Sequence, residues 1–322
     1  MKGRFAPSPT GYIHLGNVWI ALLSYISTRQ QKGTYVVRME DIDLQRSKRE
    51  LGEALLDDLE WLGFEWDEGP RIGGPESTYW QSERQEYYAN ILECLALEKL
   101  IYPCFCNRAR LQSIASAPHM GEVVHRYDGH CRHIDEKEVK TLSAEKDPSL
   151  RLSIDSCDIE FTDRWQGVQH IHLEGELDDY VLRRGDGMYA YNLAVVLDDI
   201  AMGITEIIRG DDLLDTTGQQ IYLYKTLQQC LHSKHIKVPS YGHAPLLIDS
   251  EGHRLSKRQK SITIRELRDN QWSANRIVGE LAIAGGLVKA NTLNNREISI
   301  SELIEIDLNL PSLRQKTIEI KI

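Results

Sequence analysis

The chain has 322 residues, of which 41% are hydrophobic and 27% charged, with a formal net charge of −10 at pH 7. That length holds two or three domain-sized units with sizeable cores. No run approaches the roughly 18 apolar residues of a membrane-spanning helix, and Met1 opens no signal-peptide pattern, so a cytoplasmic protein without a membrane partner is expected. The acidic balance argues against a uniformly basic nucleic-acid binder but leaves room for a local basic surface. Arg108, Arg110, Arg126 and Arg132, with the segment 254–268, are its candidates.

In chain order, Arg4-Phe5-Ala6 is a short apolar entry to a turn-rich run. Pro7 and Pro9 fix φ there, and Gly11 permits unusual backbone angles. Over residues 16–31 the apolar Val18, Leu22, Tyr25 and Ile26 recur at helical spacing, and Gly33 ends the run. Residues 34–39 read as a β-branched strand. The result is a β-loop-α-β unit whose loop faces a helix N-terminus, where free amides and the dipole favour a phosphate. His14 can donate to a phosphoryl oxygen, and Gly16 can let an adenine ring lie against the backbone. Ser47 with Glu50 and Ser82 with Gln85 have the spacing of capping boxes, the second ahead of the stripe Tyr88, Ile91, Leu92 and Leu95. The charged residues 134–148 read as an irregular connector. A second half of the nucleotide-binding unit contains residues 195–197 and a helical region starting near Thr216-Thr217. Residues 272–287 read as a helix through Ile277, Leu281 and Ile283, and the tail alternates over Thr317-Ile318-Glu319-Ile320.

Two further constellations carry chemistry. Cys104-Phe105-Cys106, followed by Tyr127-Asp128-Gly129-His130-Cys131, suits a structural zinc site. Six cysteines in a chain expected in the cytoplasm argue against a disulfide framework, and Cys94, Cys157 and Cys230 are scattered. Residue chemistry accepts either His125 or His130 as the fourth ligand. The second constellation follows the apolar segment 244–248 and a turn at Gly252. Residues 252–268 hold Arg254, Lys257, Arg258, Lys260, Arg265 and Arg268 against Glu266. A basic loop of this kind can close on a triphosphate and neutralise charge that grows in the transition state.

Pro7-Ser8-Pro9-Thr10-Gly11-Tyr12-Ile13-His14-Leu15-Gly16-Asn17 and Arg254-Leu255-Ser256-Lys257-Arg258 resemble the paired ATP-binding motifs of class I aminoacyl-tRNA synthetases. Residues 4–11, Arg38-Met39-Glu40-Asp41-Ile42-Asp43, Tyr191-Asn192-Leu193-Ala194 and Ile208-Arg209-Gly210-Asp211-Asp212 resemble the glutamyl branch of that class. The match runs in order through most of residues 1–260. It implies an α/β fold: a Rossmann-type nucleotide-binding domain with a zinc-containing insertion and a small, mostly helical C-terminal subdomain. The expected division is 1–99 and 178–250 for the two catalytic halves, 100–177 for the insertion, and 251–322 for the lysine loop and subdomain.

By the same resemblance, Arg4, Phe5, Ala6, Pro7, Ser8, Glu40, Tyr191 and Arg209 bind glutamate, with Glu40 facing its ammonium. His14, Gly16, Asn17, Leu255, Ser256 and Lys257 bind ATP with Mg²⁺, and His14 and Lys257 are catalytic. Leu15, Asn17, Arg254, Leu255 and Arg258 depart from the commonest motif residues but leave His14, Gly16 and Lys257 in place. The implied zinc ligands are Cys104, Cys106, Tyr127 and Cys131, with His130 in reserve. A dicarboxylate carrying one ammonium needs cationic donors and one acid, and the planar fork of arginine suits carboxylates.

Only residues 259–322 follow the lysine motif, where a glutamyl-tRNA synthetase is expected to carry a large helical anticodon-binding region. That length, the Tyr127-to-Cys131 string and the Arg254-to-Lys257 loop resemble the shortened glutamyl-queuosine tRNA(Asp) synthetases. The resemblance implies that glutamate is transferred to queuosine at the wobble position of tRNA(Asp), with no anticodon-binding domain. The anticodon loop then enters the active site, as unpaired RNA bases commonly do. A monomer is expected. The alternatives are a truncated glutamyl-tRNA synthetase charging the 3′ end of tRNA(Glu), which is expected to need its tRNA for activation, and an idle zinc-stabilised RNA-binding protein. Mere binding would not require His14, Glu40, Arg209 and Lys257 together.

Overall fold

The computed structural model describes residues 1–107, 110, 127–253, 255, 262–308 and 310–320. Strands β1 (Lys2–Phe5) and β2 (Thr34–Val37) pair in parallel, with Arg4 opposite Val36. Parallel neighbours need a crossover, here the helix α1 (Leu15–Gln30). Leu15, Val18, Trp19, Leu22, Leu23 and Ile26 of α1 are all buried, with Ser24, Ser27 and Thr28, so this helix lies between two layers instead of on the surface.

The helix α2 (Arg49–Leu62) ends at Gly63, whose φ of 95° is the left-handed position that glycine adopts without strain. The helix α3 (Gln85–Leu97) precedes a separate antiparallel sheet, in which β4 (Ser149–Leu152) lies between β3 (Ile101–Cys104) and β7 (Val181–Arg183). Between β3 and β4 is α4 (Glu136–Ser143), and a hairpin of β5 (Cys157–Asp163) and β6 (Gly167–Leu173) follows. Then come α5 (Tyr191–Ala201), β8 (Glu206–Gly210), α6 (Thr217–Cys230) and β9 (Ser240–Ala244). The main sheet runs β2-β1-β8-β9-β5-β6, and its described pairings are parallel except within the β5–β6 hairpin. The hairpin thus belongs to the main sheet, whereas β3, which ends at Cys104, belongs to the small one.

Successive strand residues point to opposite faces. Phe5, Tyr35, Val37 and Ile208 accordingly share a core with α1 and α2, while Val36, Ile207 and Tyr241 share another with α3, α5 and α6. The C-terminal part folds back onto the first core. It comprises β10 (Leu246–Ile248), the helices α7 (Ile264–Asp269), α8 (Ala274–Ala284) and α9 (Ile300–Leu303), and β11 (Thr317–Glu319), which pairs in parallel with β10. Leu267, Ile277, Leu281, Leu303 and Ile318 pack there with Trp19.

Several local expectations differ from the structure. Neither expected capping box forms. Lys48 and Arg84 occupy the cap positions of α2 and α3, and the Ser82 hydroxyl donates to Asp41 Oδ2 at 2.6 Å. The complete boxes lie at Thr263 with Glu266 and Ser299 with Glu302. Residues 134–148 contain α4, capped by Asp135, which accepts the Glu138 N–H at 2.7 Å; with no buried residue, this helix gave no apolar stripe to read. The strand expected over 34–39 runs only to Val37, and beyond it Met39 forms an isolated parallel bridge to Trp80, bonding Tyr79 and Gln81. The helix expected over 272–287 is shortened to α8 by the Ser273 cap, and Ile283 is only half-buried.

Candidate active site

A cavity of about 710 Å³ lies beyond the C-terminal ends of β1, β8 and β9. Open parallel sheets place ligands at that edge. Arg4, Phe5, Ala6, Pro7, Ser8, His14, Gly16 and Asn17 line it from the first unit, Glu40 from the segment after β2, Tyr191 from the start of α5, Arg209 from β8, and Leu255 from the segment after β10. Every expected glutamate- or ATP-site residue that is described therefore lies on one cavity. Ser256 and Lys257 are outside the described residues, as are Arg254 and Arg258.

Backbone pairing brings the acidic side chain in. Arg38 N–H donates to Phe5 O at 3.0 Å and Glu40 N–H to Pro7 O at 2.9 Å, extending the β1–β2 ladder past the strand ends. Arg38 is completely buried between carboxylates. Its Nη1 meets Asp199 at 2.7 Å, its Nη2 meets Glu40 Oε1 at 3.1 Å, and its Nε is 3.6 Å from Asp198. Arg4 Nε meets the same Asp199 at 3.4 Å. Burial pushes the Glu40 carboxyl up in pKa against the opposing pull of Arg38 and Arg4. Arg209 is buried as well, held by His243, Gln220 and Thr217.

The nucleotide end is drawn together by chain contacts. A Cβ on Gly16 would lie 3.2 Å from the Leu255 carbonyl oxygen and 3.1 Å from the His14 ring, so a side chain there would crowd both. Leu255 N–H donates to Leu247 O at 3.0 Å, and Ile264 N–H to Ile13 O at 3.0 Å. Thr263 forms a bridge with His14. The residues flanking the basic segment on both sides therefore abut the first motif.

Sequence reasoning missed the groups behind these side chains: Asp163, Gln220, Thr217 and His243 behind Arg209, and Asp198 and Asp199 behind Arg38. Two adjacent acids in the apolar run of α5 were a readable signal, because buried carboxylates need cationic partners.

The cysteines form a second centre at the end of β3. The Sγ atoms of Cys104, Cys106 and Cys131 lie within 4.8 Å of one another, with Cys106 and Cys131 3.6 Å apart. A tetrahedral zinc with Zn–S near 2.3 Å sets sulfurs about 3.8 Å apart, so the donor set fits such an ion. Tyr127 Oη is 3.6 Å from Cys104 Sγ and accepts the Cys131 N–H at 2.7 Å. His130 is exposed, and His125 is outside the described residues. Burial works against ionising Cys104, yet Arg151, 3.2 Å from its sulfur, draws the pKa down. Burial and the neighbouring thiols push Cys106 up to about 12.

A parallel sheet with the first motif and Leu255 on one cavity at its edge is the arrangement of a class I synthetase catalytic domain, and the family model for tRNA synthetases class I (E and Q), catalytic domain, matches residues 1–314. A glutamyl-Q tRNA(Asp) synthetase of Nitratidesulfovibrio vulgaris is 44% identical over 289 residues, 89% of this chain and 87% of that protein. A glutamate–tRNA ligase of a Sulfurihydrogenibium species is 37% identical over 284 residues, 88% of this chain but 58% of the ligase. A solved glutamate tRNA ligase from Elizabethkingia meningosepticum, in complex with its amino acid, matches with a TM-score of 0.82 at 29% identity, over 100% of this chain and 67% of that one. The chain belongs to the class I synthetases for glutamate and glutamine, and within them to the glutamyl-Q tRNA(Asp) synthetase family. Among the described residues, no helix is long and apolar enough to cross a membrane.

Proposed function

We propose that this chain activates L-glutamate with ATP as glutamyl-adenylate and passes the glutamyl group to queuosine at the wobble position of tRNA(Asp). The observation that carries the reading is a single cavity joining Arg4, Glu40, Tyr191 and Arg209 to His14, Gly16 and Leu255. Arg4 and Arg209 offer N–H donors to carboxylates, Glu40 faces the ammonium, and Tyr191 adds a neutral donor. His14 and Lys257 hold the phosphates. A substrate carboxylate oxygen attacks the α-phosphorus, and the new P–O bond forms as the bond to pyrophosphate breaks. Mg²⁺ bound with ATP supplies charge neutralisation on the phosphates. A hydroxyl of the queuosine cyclopentene ring then attacks the acyl carbonyl and gives up its proton, and AMP leaves with the electron pair of the broken C–O bond. Positioning and fixed charge supply most of such a barrier.

The acceptor is tested by incubating the enzyme with labelled glutamate, ATP and either tRNA(Asp), with or without queuosine, or tRNA(Glu), then weighing the nucleosides. Glutamyl-queuosine, formed only from the modified tRNA, is the expected product. Glutamate on the 3′-terminal adenosine of tRNA(Glu) would instead identify a tRNA-charging ligase.

Cys104, Cys106, Cys131 and Tyr127 hold a structural zinc in this reading, which suits six free thiols in a reducing cytoplasm. Elemental analysis is expected to find about one zinc per chain. Cys106→Ser should lose most of it and unfold at lower temperature. Unchanged zinc content in that variant would remove Cys106 from the ligand set.

A further inference from the structure

Arg209 reaches the cavity from β8, and protein groups take up most of its guanidinium from behind. Nε donates to His243 Nε2 at 3.0 Å, Nη1 to Gln220 Oε1 at 2.7 Å, and Nη2 to Thr217 Oγ1 at 2.7 Å and Leu213 O at 3.3 Å. Strand register puts His243 there. It is the direct partner of Arg209 on the adjacent parallel strand β9, so both side chains leave the same face of the sheet.

The ring of His243 is fully buried, and its Nδ1 meets Asp163 Oδ2 at 2.6 Å. Asp163, also buried, stands at the end of β5 among N–H donors. Its Oδ1 accepts from Trp165 N at 3.0 Å and Gln166 N at 2.9 Å, and its Oδ2 accepts from His243 N at 3.0 Å. A carboxylate so surrounded accepts on both oxygens. The ring proton therefore sits on Nδ1, and the lone pair of Nε2 faces Arg209.

We propose that His243 is a positioning residue for substrate recognition: with its tautomer set by Asp163, it aims Arg209 at the carboxylate of the amino-acid substrate. This rests on the reading of Arg209 as a glutamate ligand. A protonated ring would set N–H against N–H and a cation against a cation. The surroundings oppose that: burial holds the His243 pKa down and Arg209 adds to the effect, against the pull of Asp163 and Asp211. Tyr241 stacks alongside with ring centroids 6.0 Å apart and brings no charge at neutral pH.

The test is ATP–pyrophosphate exchange with glutamate and ATP varied separately, in His243→Asn, His243→Gln, Asp163→Asn and Arg209→Lys. Asparagine keeps a donor where Nδ1 stood and removes the acceptor at Nε2. Glutamine can put its Oε1 where Nε2 stood. Asp163→Asn presents an N–H to Nδ1 and drives the proton to Nε2, the tautomer that faces Arg209 with the wrong group. His243→Asn and Asp163→Asn are expected to raise KM for glutamate roughly tenfold or more, with KM for ATP within about twofold, and His243→Gln to recover much of the loss. Equal effects on both substrates, or no advantage of glutamine over asparagine, would reduce His243 to a packing role. Where His243→Asn fails to fold, the glutamate-specific KM rise in Asp163→Asn decides. If Arg209→Lys leaves KM for glutamate unchanged, the ligand assignment of Arg209 fails. If it raises that KM while the His243 and Asp163 variants do not, only the positioning proposal fails.

Discussion

Replacing Asp198 with alanine is expected to destabilise the fold by about 3–5 kcal/mol, the usual consequence of stripping one partner from a buried ion pair. Asp198 is fully buried in α5. It accepts from Arg84 Nε at 2.7 Å, Gln81 Nε2 at 2.8 Å and Tyr88 Oη at 2.9 Å. Arg38 Nε lies 3.6 Å away. Alanine would leave Arg84 with Glu76 and the Thr78 carbonyl oxygen, and deprive Arg38 of one of three carboxylates. Against a typical total of about 5–15 kcal/mol, that loss is large. Urea unfolding is the measurement: the midpoint should fall while the slope stays constant. Asp198→Asn keeps the shape and part of the hydrogen bonding and should lose less. The effect reaches the cavity too, since Arg38 also holds Glu40, so KM for glutamate should rise in the alanine variant. A midpoint close to that of the parent would show that the acid is not what keeps two guanidinium groups buried.

The parts of this molecule legible in its sequence are those whose signals are local. The turn after β1 announced itself through proline and glycine, α1 through its period, and Cys104, Cys106 and Cys131 through short spacing, whereas Tyr127 was implied only by the family resemblance. The residues that organise the cavity came together by strand pairing instead. Asp163 and His243 are 80 positions apart, and only the order β8-β9-β5 makes them neighbours. No periodicity in either segment encodes that order. Spacing alone also misled where a competing partner existed: Ser82 and Gln85 have the capping-box interval, but Asp41, folded in from the segment after β2, takes both the Ser82 hydroxyl and its backbone N–H. At Thr263 and Ser299 the hydroxyls instead meet the carboxylates of their own box partners, Glu266 and Glu302, at 2.8 and 2.7 Å.

Lys257→Ala is expected to lower ATP–pyrophosphate exchange by about 10²–10³-fold, the range found when one preorganised charge-stabilising group is removed. The argument comes from what flanks the lysine. Leu255, two residues earlier, is pinned to Leu247 and has its carbonyl oxygen 3.2 Å from where a Gly16 Cβ would stand. Thr263, six residues later, is bridged to His14, and the next residue bonds Ile13. Thr263 is further fixed by its capping box with Glu266. Both ends of the basic segment are thus tied to the wall of the cavity that carries His14. The charge that grows on the phosphates during attack needs a cation that arrives with the nucleotide and does not compete for the glutamate carboxylates. Arg4 and Arg209 cannot play that part, since Asp199 holds one and His243, Gln220 and Thr217 hold the other. The unfolding midpoint of the variant should match the parent, which separates lost chemistry from lost structure, and Lys257→Arg should retain part of the rate because it keeps the charge. Exchange near the parental rate in Lys257→Ala would mean that the phosphates are neutralised by some other group, and the pairing of the two motif segments around one nucleotide would lose its chemical purpose.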